Sequence, residues 1–471
     1  MGSGNMGKNS VVNERIIIEK NAKPKNAFVT KKSERFMYSS YFFGQNIIFF
    51  IVSSFLAVYY TSVLGISATT VGSILLLARI WDAFVDPTLA TIIERLNLKS
   101  GKFKPWVNLA SITVPIMTFL CFGFSHQLLA ASEGVRIGYA AVTYLVWGTL
   151  YAAADAPAFA FSTVITPNPE ERTVLLANNQ ITGIVGILVA VAAFPSVLKA
   201  TDNNYMISVL IFSIIAFVVM SMTRFVKERV KSNKKEPAIK EILHSLFNNK
   251  YLKTIVIVNI IANGVNFTNT LAPFVATDIY KDATKVSLIL GIGILPVVLV
   301  APFVPKLVNK YGKIKLMSFA LAANAILSIV TYFVAYENFG LFLGVSVLKA
   351  MLIAPQLVIY PMFFADSVEY DCYKNGTRFE AVIFATQTFS SKIIGAISGG
   401  LGMWIIGIAG YKAATNGHAV TQTATTLKSL WATFNLGGAV GCLIALFIFL
   451  KFYDLTEEQV KEMALANQSK N

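Results

Sequence analysis

Three ionisable side chains stand close together inside an otherwise apolar stretch of the chain. Arg79, Asp82 and Asp86 occur in the segment ARIWDAFVDPTLA, at offsets of three and four residues that place them on one stripe of a helix. Two carboxylates and a guanidinium in a dry site cannot all be charged at low cost, so this stripe should take up a proton or another cation reversibly. A static ion pair that holds helices together is the alternative interpretation.

Three more ionisable residues lie within apolar segments, where a charge costs at least ~2.5–3.5 kcal/mol and is a functional candidate by default. Asp155 stands between alanines in YAAADAPAFAFS, and its carboxylate could accept hydrogen bonds from sugar hydroxyls or pair with Lys392. Lys392 needs a carboxylate, so we expect it to join a charge-pair network with the three aspartates. Lys349 lies too deep in its segment to reach the membrane surface easily, and could neutralise an anionic substrate such as a uronate or reach the exit wall.

The composition shows what kind of element must position these charges. Of 471 residues, 55% are hydrophobic and only 14% are charged, and the apolar residues come in blocks of twenty or more. This pattern predicts an all-α membrane protein. The sequence contains no GxxxxGK[ST] loop and only three scattered cysteines, which argues against an ATP-driven pump, a zinc site or a bound cofactor. The basic residues lie in short loops, so we expect no nucleic-acid partner.

The apolar blocks predict twelve transmembrane helices, and an even number places both termini on one side of the membrane. The connections on that side carry 31 of the 40 Lys and Arg residues, and those on the opposite side carry 6. By the positive-inside rule both termini are cytoplasmic. The predicted spans are 39–63, 69–94, 106–130, 136–163, 174–199, 204–224, 252–278, 284–308, 315–336, 339–366, 379–408 and 427–452.

The longest connection divides the spans into two six-helix halves. A basic Gly-Lys-x-Lys turn follows the second span of each half, at Gly101 and at Gly312. Two parallel six-helix repeats with a central binding site are typical of the major facilitator fold. The predicted organisation is a cytoplasmic N-terminal segment, a first bundle, a cytoplasmic central loop, a second bundle and a cytoplasmic tail, over residues 1–38, 39–224, 225–251, 252–452 and 453–471.

Several motifs in order along the chain resemble the glycoside-pentoside-hexuronide:cation symporter family of the major facilitator superfamily. They are RIWDAFVDP followed by GKFKPW, TYLVWGTLYAAADAP, PEER, FADSVEYDCYKNGTRFEA, QTFSSK and the pair Gly410-Tyr411. The resemblance covers about 420 residues. It implies a facilitator-type carrier that takes up a sugar or glycoside together with H⁺, Na⁺ or Li⁺ by alternating access.

The resemblance also implies roles for single residues. Asp82 and Asp86 match the family's cation-binding carboxylates, with Arg79 beside them, and Asp155 matches a sugar-binding aspartate. Lys392 and the nearby Thr388 match polar positions of the eleventh span. Four charges fall on the cytoplasmic loops where the family's halves exchange gating ion pairs, although ordinary solvated side chains are the alternative: Arg172, Asp366, Glu369 and Arg378.

The chain departs from melibiose permease, a member of that family, at the substrate positions. Asn46 replaces an aspartate of the first span, Gln180 an arginine of the fifth, and Phe159 a tryptophan that follows the fourth-span aspartate. We keep all three as candidate substrate contacts but do not expect melibiose as the substrate. Val85 and Ala152 stand where the family has neutral oxygen donors, and a sodium ion needs about five or six oxygens. This favours H⁺ over Na⁺, which could bind only at Asp82 and Asp86.

The resulting hypothesis is a proton-coupled symporter for a sugar, glycoside, pentoside or hexuronide, acting as a monomer in a bacterial inner membrane. The main alternative is a sugar-sensing membrane receptor that binds without transporting. An intramembrane enzyme would need clustered His, Asp and Glu at a membrane face, whereas the acids here occur singly or along one stripe. A channel is disfavoured because no pore-loop filter sequence is present.

Overall fold

The chain is helical throughout the part that the structure, a computed structural model, describes. The described residues are 28–95, 100–230, 247–375, 380–414 and 420–469, and they contain no β-strand. The prediction of an all-α protein is therefore confirmed. Residues 1–27 and most of the predicted central loop lie outside the described residues.

The first half consists of long helices joined by short turns. Its helices are α1 (Lys32–Ser62), α2 (Ala68–Arg95), α3 (Lys104–Cys121), α4 (Ser125–Ala130), α5 (Glu133–Ile165), α6 (Pro169–Ala200) and α7 (Tyr205–Ser221). The predicted third span, 106–130, is divided between α3 and α4. Phe124 has a left-handed backbone with φ 60°, which ends the helical path and lets α4 begin anew.

The second half has the same plan with more interruptions. Its helices are α8 (Lys250–Gly264), α9 (Thr268–Phe274) with a π-helical turn (Val275–Ile279), α10 (Lys285–Gly291), α11 (Ile294–Val300), α12 (Val304–Tyr311), α13 (Lys313–Val334), α14 (Phe339–Asn375), α15 (Glu380–Ile408), α16 (Ala424–Phe452) and α17 (Glu457–Ser469). The predicted eighth span is three short helices. Pro302 and Pro305 lack the backbone N–H that a continuous helix would use.

Within the described residues, ten of the twelve predicted spans are long and apolar enough to cross a membrane. The other two correspond to α2 and α3. Several side chains of α2 lie outside the described residues, and α3 has only 18 residues and begins at Lys104. The count of twelve crossings therefore stays a prediction.

The two Gly-Lys turns are capped in the same way, which supports the internal repeat. Glu228, just after the last helix of the first half, accepts hydrogen bonds from the backbone N–H groups of Lys102, Phe103 and Lys104 at 2.7–2.8 Å. Glu457, just after the last span of the second half, accepts one from Lys313 at 2.5 Å. Both turn glycines have positive φ, 126° at Gly101 and 82° at Gly312.

The halves meet at one end of the bundle. We call the end where α1 begins and α16 ends the near end, and the opposite end the far end. One apolar core joins the first half to the far end of the second half, including Phe274, Ile406 and Trp431. A separate core, including Leu252, Phe363 and Phe449, lies at the near end of the second half. Among the side chains that the structure describes, the halves share a core at the far end, while at the near end each half has its own.

Helices α2 and α15 form an antiparallel contact between the halves. A Cβ atom at Gly72 would lie 2.4 Å from the ring of Trp404, and one at Gly400 would lie 2.2 Å from Leu76. The Trp404 indole donates to the Ser73 hydroxyl at 3.1 Å. Glycines allow the two backbones to approach at these points, so the pair packs closely from the far end inward.

Candidate functional site

An intramembrane ion pair lies on α2. Arg79 Nη1 and Asp82 Oδ2 are 3.1 Å apart, and the two side chains are 27% and 15% exposed. The pairing at an offset of three residues that the sequence predicts is present. The Asp86 side chain lies outside the described residues, and the coupling role of all three stays a prediction.

The ion pair packs against α5 of the same half. A Cβ atom at Gly148 would lie 3.4 Å from Asp82 Oδ1, so the carboxylate lies directly over this glycine. Trp81 donates from its indole to the Thr149 hydroxyl at 3.0 Å. Tyr144 and Tyr151, also on α5, lie near Arg79. The stripe on α2 therefore faces the middle of α5.

Asp155 lies further along α5 and is held by a residue of α1. Gln45 Nε2 donates to Asp155 Oδ1 at 2.8 Å, and Gln45 is only 3% exposed. The Tyr151 hydroxyl interacts with the same glutamine. Gln45 is a candidate site residue that sequence reasoning missed, although its place inside the apolar run YFFGQNIIFF, next to Asn46, is a signal that could have found it.

Gly148, which contacts Asp82, lies on the same face of α5 as Asp155. Gly148 and Asp155 are seven residues apart, which is two helical turns and about 10 Å along the axis. Both carboxylates are thus positioned against a single helix.

Aromatic rings extend this face. Tyr151 stacks on Trp147 with ring centroids 5.1 Å apart and lies 5.6 Å from Phe49. Phe159, one turn beyond Asp155, lies 4.8 Å from the ring of Phe42 and is 39% exposed. An exposed ring beside a carboxylate suits the apolar face of a sugar ring, with the carboxylate available for its hydroxyls.

Asn46 and Gln180 lie on facing helices of the first half. Asn46 Nδ2 donates to the Phe42 carbonyl at 2.8 Å, and a Cβ atom at Gly183 of α6 would lie 2.9 Å from the same nitrogen. Gln180 is exposed and lies one turn before Gly183. The structure therefore brings these two predicted substrate positions into one neighbourhood.

The antiparallel contact between α2 and α15 locates Lys392. Thr69 faces Gly407, Gly72 faces Trp404 and Leu76 faces Gly400. Continuing this register places Lys392 opposite residue 84, at the height between Asp82 and Asp86. The Thr388 side chain lies outside the described residues. A charge-pair network through Lys392 stays a prediction.

Lys349 is half-buried within the second half. It lies on α14, near the buried Cys442 of α16. Within the described part of the chain, its neighbour Cys442 belongs to the second half, away from the candidates of the first half. Its proposed role toward an anionic substrate stays a prediction.

The described candidates for the cytoplasmic gate have partners within their own halves. Arg172 donates to the Thr166 carbonyl at 3.4 Å. Asp366 pairs with Lys313. Glu369 accepts from Asn467 of α17 at 3.0 Å. Arg378 lies outside the described residues. These bonds within each half agree with the separate cores at the near end. The exchange of ion pairs between the halves stays a prediction.

Comparisons with known proteins agree with this architecture. The model of a family described as "MFS/sugar transport protein" matches residues 37–457. The chain is 29% identical to the isoprimeverose transporter of Lactiplantibacillus pentosus, over 93% of this chain and 94% of that one. It is 25% identical to the glucuronide carrier protein homolog of Escherichia coli K12, over 90% and 92% of the two chains.

Solved structures share the fold at low identity. A crystal structure of a D-xylose-proton symporter matches with a TM-score of 0.60 and 15% identity, over 89% of this chain and 97% of that one. A crystal structure of the nucleoside transporter NupG matches with a TM-score of 0.66 and 14% identity, over 90% and 100% of the chains. These matches confirm the major facilitator fold that the sequence predicts.

Proposed function

The chain belongs to the MFS/sugar transport protein family and is a membrane transporter rather than an enzyme, and from that membership we propose that it carries a sugar or glycoside together with a proton by alternating access. The relatives described above are named for isoprimeverose and for a glucuronide. Their names support a sugar or glycoside as the substrate class.

One observation carries the proposal. The Arg79–Asp82 pair, 3.1 Å apart, lies against Gly148, two turns from Asp155 on the same helix. A charged Asp82 holds Arg79 in this arrangement, and neutralising the carboxylate releases the guanidinium. A ligand that binds one state of this pair better shifts the population of carrier states, which is how binding of a cation and of a sugar become coupled.

The Arg79 guanidinium favours a proton as the coupling cation. It already supplies the positive charge beside Asp82, so a sodium ion would have to bind next to another cation. A sodium ion needs several oxygen ligands in place of its water shell, and Val85 and Ala152 have no side-chain oxygen to offer. A proton needs only one carboxylate oxygen. We therefore assign coupling to H⁺ at Asp82 and Asp86.

The sugar is proposed to bind along the face formed by α1, α5 and α6. Asp155 would accept hydrogen bonds from hydroxyl groups, and Gln45 fixes the orientation of the carboxylate. Asn46 and Gln180 would supply amide donors and acceptors, and Phe159 an apolar surface. Lys392, at the height between Asp82 and Asp86, would connect this site to the second half.

The direction of opening follows from the distribution of basic residues. We infer that the near end faces the cytoplasm of a bacterium, because the connections at that end carry most of the Lys and Arg residues. The structure then corresponds to an inward-facing carrier, closed toward the outside. The partners of Asp366 and Glu369, which lie within the second half, are consistent with that state.

Counterflow in proteoliposomes tests the proposal against the alternative of a sugar-sensing receptor. Vesicles loaded with an unlabelled sugar that stabilises the purified protein in a thermal-shift panel should take up the labelled sugar transiently. A receptor would bind the same sugar without exchange. Binding without counterflow for every stabilising sugar would overturn the transport assignment.

A further inference from the structure

The pair Gly410-Tyr411 ends α15 in a specific turn. The Gly410 N–H donates to the Gly407 carbonyl at 3.0 Å, and the Tyr411 N–H to the Ile406 carbonyl at 3.0 Å. Gly410 has φ 87°, the left-handed conformation that this type of helix end assigns to glycine. The turn fixes the direction in which the Tyr411 side chain leaves the helix.

Tyr411 joins the end of α15 to the π-helical turn after α9. Its hydroxyl donates to Asp278 Oδ2 at 2.5 Å, and its ring meets Phe274 edge-on at 5.3 Å. Burial and the neighbouring Asp278 carboxylate raise the pKa of the Tyr411 hydroxyl well above its ordinary value, so it remains a donor at physiological pH. A hydrogen bond to a carboxylate is among the stronger ones in proteins.

The chain that follows Tyr411 crosses to the other half. The Ala414 N–H donates to the Thr61 carbonyl at the end of α1, at 2.9 Å. A Cβ atom at Gly65 would lie 2.5 Å from the Ala414 carbonyl oxygen, and Gly65 has φ 67°. The segment 410–414 is therefore tied to the second half by Tyr411 and to the first half by Ala414, at the far end.

We propose that the hydrogen bond between Tyr411 and Asp278 is the latch that keeps the far end closed, because it holds the segment 410–414 in the position from which Ala414 reaches Thr61. The proposal rests on the alternating-access function inferred above. Opening the far end requires the halves to separate, so the contact between Ala414 and Thr61 must break. With the latch intact, segment 410–414 is pre-positioned to reform that contact.

The surroundings of Asp278 allow the latch to open without leaving the Asp278 carboxylate buried and unsolvated. A cavity of about 340 Å³ at the far end is lined by Asp278, Lys281, Lys285 and aromatic side chains. When Tyr411 withdraws, the carboxylate can be solvated through this cavity or approached by Lys281. The Asp278 carboxylate can therefore exchange Tyr411 for water or Lys281 during the transport cycle.

Tyr411→Phe tests the latch because it removes only the hydroxyl. The matched control is Tyr280→Phe, since Tyr280 donates to the Ala335 carbonyl at 2.9 Å at the same end but within the second half. The measurement is the spin-label distance between Glu133→Cys and Lys428→Cys, two exposed far-end positions on opposite halves, in a background without the native cysteines.

We expect Tyr411→Phe to raise the ratio of open to closed far-end distances by roughly tenfold over the parent protein. Asp278→Asn, which keeps a weaker acceptor, should shift the ratio in the same direction by less. Tyr280→Phe should match the parent. Distances in Tyr411→Phe and Asp278→Asn that equal those of the parent would overturn the latch.

Counterflow by the parent protein separates the two proposals. If the parent exchanges sugar and Tyr411→Phe shows the parent's distances, the latch fails and the transport function stands. If the parent shows no counterflow, the transport function fails. The distance change between Tyr411→Phe and Tyr280→Phe still tests the latch in that case.

Discussion

The carboxylate of Asp82 lies directly against Gly148, where an added Cβ atom would come 3.4 Å from Oδ1. The candidate coupling site of α2 thus borders the helix that carries Asp155. A glycine at this point leaves room for the carboxylate and for Arg79, which is 3.1 Å away. A larger side chain at position 148 should therefore disturb the ion pair between Arg79 and Asp82.

Gly148→Val should lower concentrative sugar uptake by roughly tenfold or more, because a branched side chain displaces Asp82 from Arg79 and positioning errors of this size are costly. Gly138→Val is the matched control, since it lies on the same helix and a Cβ atom there meets nothing within 4 Å. Uptake in energised vesicles measures both. Equal activities of the two variants would contradict the proposed closeness of Asp82 to α5.

Gln45→Leu should weaken sugar binding by about 5- to 150-fold, because the Asp155 carboxylate loses a buried donor, worth about 1–3 kcal/mol. The 2.8 Å bond between these residues fixes the carboxylate that is proposed to bind the sugar. Sugar-dependent thermal stabilisation gives the affinity, and the exposed Gln127→Leu is the control. An unchanged affinity in Gln45→Leu would remove Gln45 from the site.

Lys349→Met should reduce uptake of a glucuronide roughly tenfold more than uptake of the matching glucoside, because only the former carries a charge for the ammonium to neutralise. The side chain is half-buried beside Cys442, so its charge is only partly screened. Parallel uptake of the two glycosides measures the difference. Equal losses for both would show that Lys349 has a structural role.

Glu228→Gln should destabilise the protein by about 1–3 kcal/mol, because three backbone N–H groups lose a charged acceptor. The carboxylate accepts from Lys102, Phe103 and Lys104 at 2.7–2.8 Å. Glu458→Gln, an exposed glutamate of α17, is the control. Thermal unfolding in detergent should place Glu228→Gln a few degrees below both the parent and the control, and coincident transitions would argue against the cap.

The ion pair of α2 could be predicted because its geometry is local. Offsets of three residues on one helix bring Arg79 and Asp82 together wherever that helix packs. The repeat of the Gly-Lys turns was also visible, although its carboxylate caps were not, since Glu228 and Glu457 come from more than a hundred residues away. Contacts across such separations depend on how the helices pack.

The same limit explains the residues that sequence reasoning missed. Gln45 reaches Asp155 across 110 positions of the chain, and Tyr411 reaches Asp278 across 133. Asp278 stands at the edge of its apolar segment, where a carboxylate could equally be a solvated helix end. The hydrogen bond from Tyr411, which only the packed structure shows, distinguishes the two.

Sugar-induced proton movement tests the central proposal, proton coupling at Asp82, most directly. Adding a transported sugar to lightly buffered, de-energised vesicles should make the medium more alkaline for the parent protein, independently of Na⁺. Asp82→Asn should abolish this signal while retaining counterflow, and Asp202→Asn, at a far-end turn, should behave as the parent. Uptake that requires Na⁺ without alkalinisation, or full alkalinisation by Asp82→Asn, would contradict proton coupling at this site.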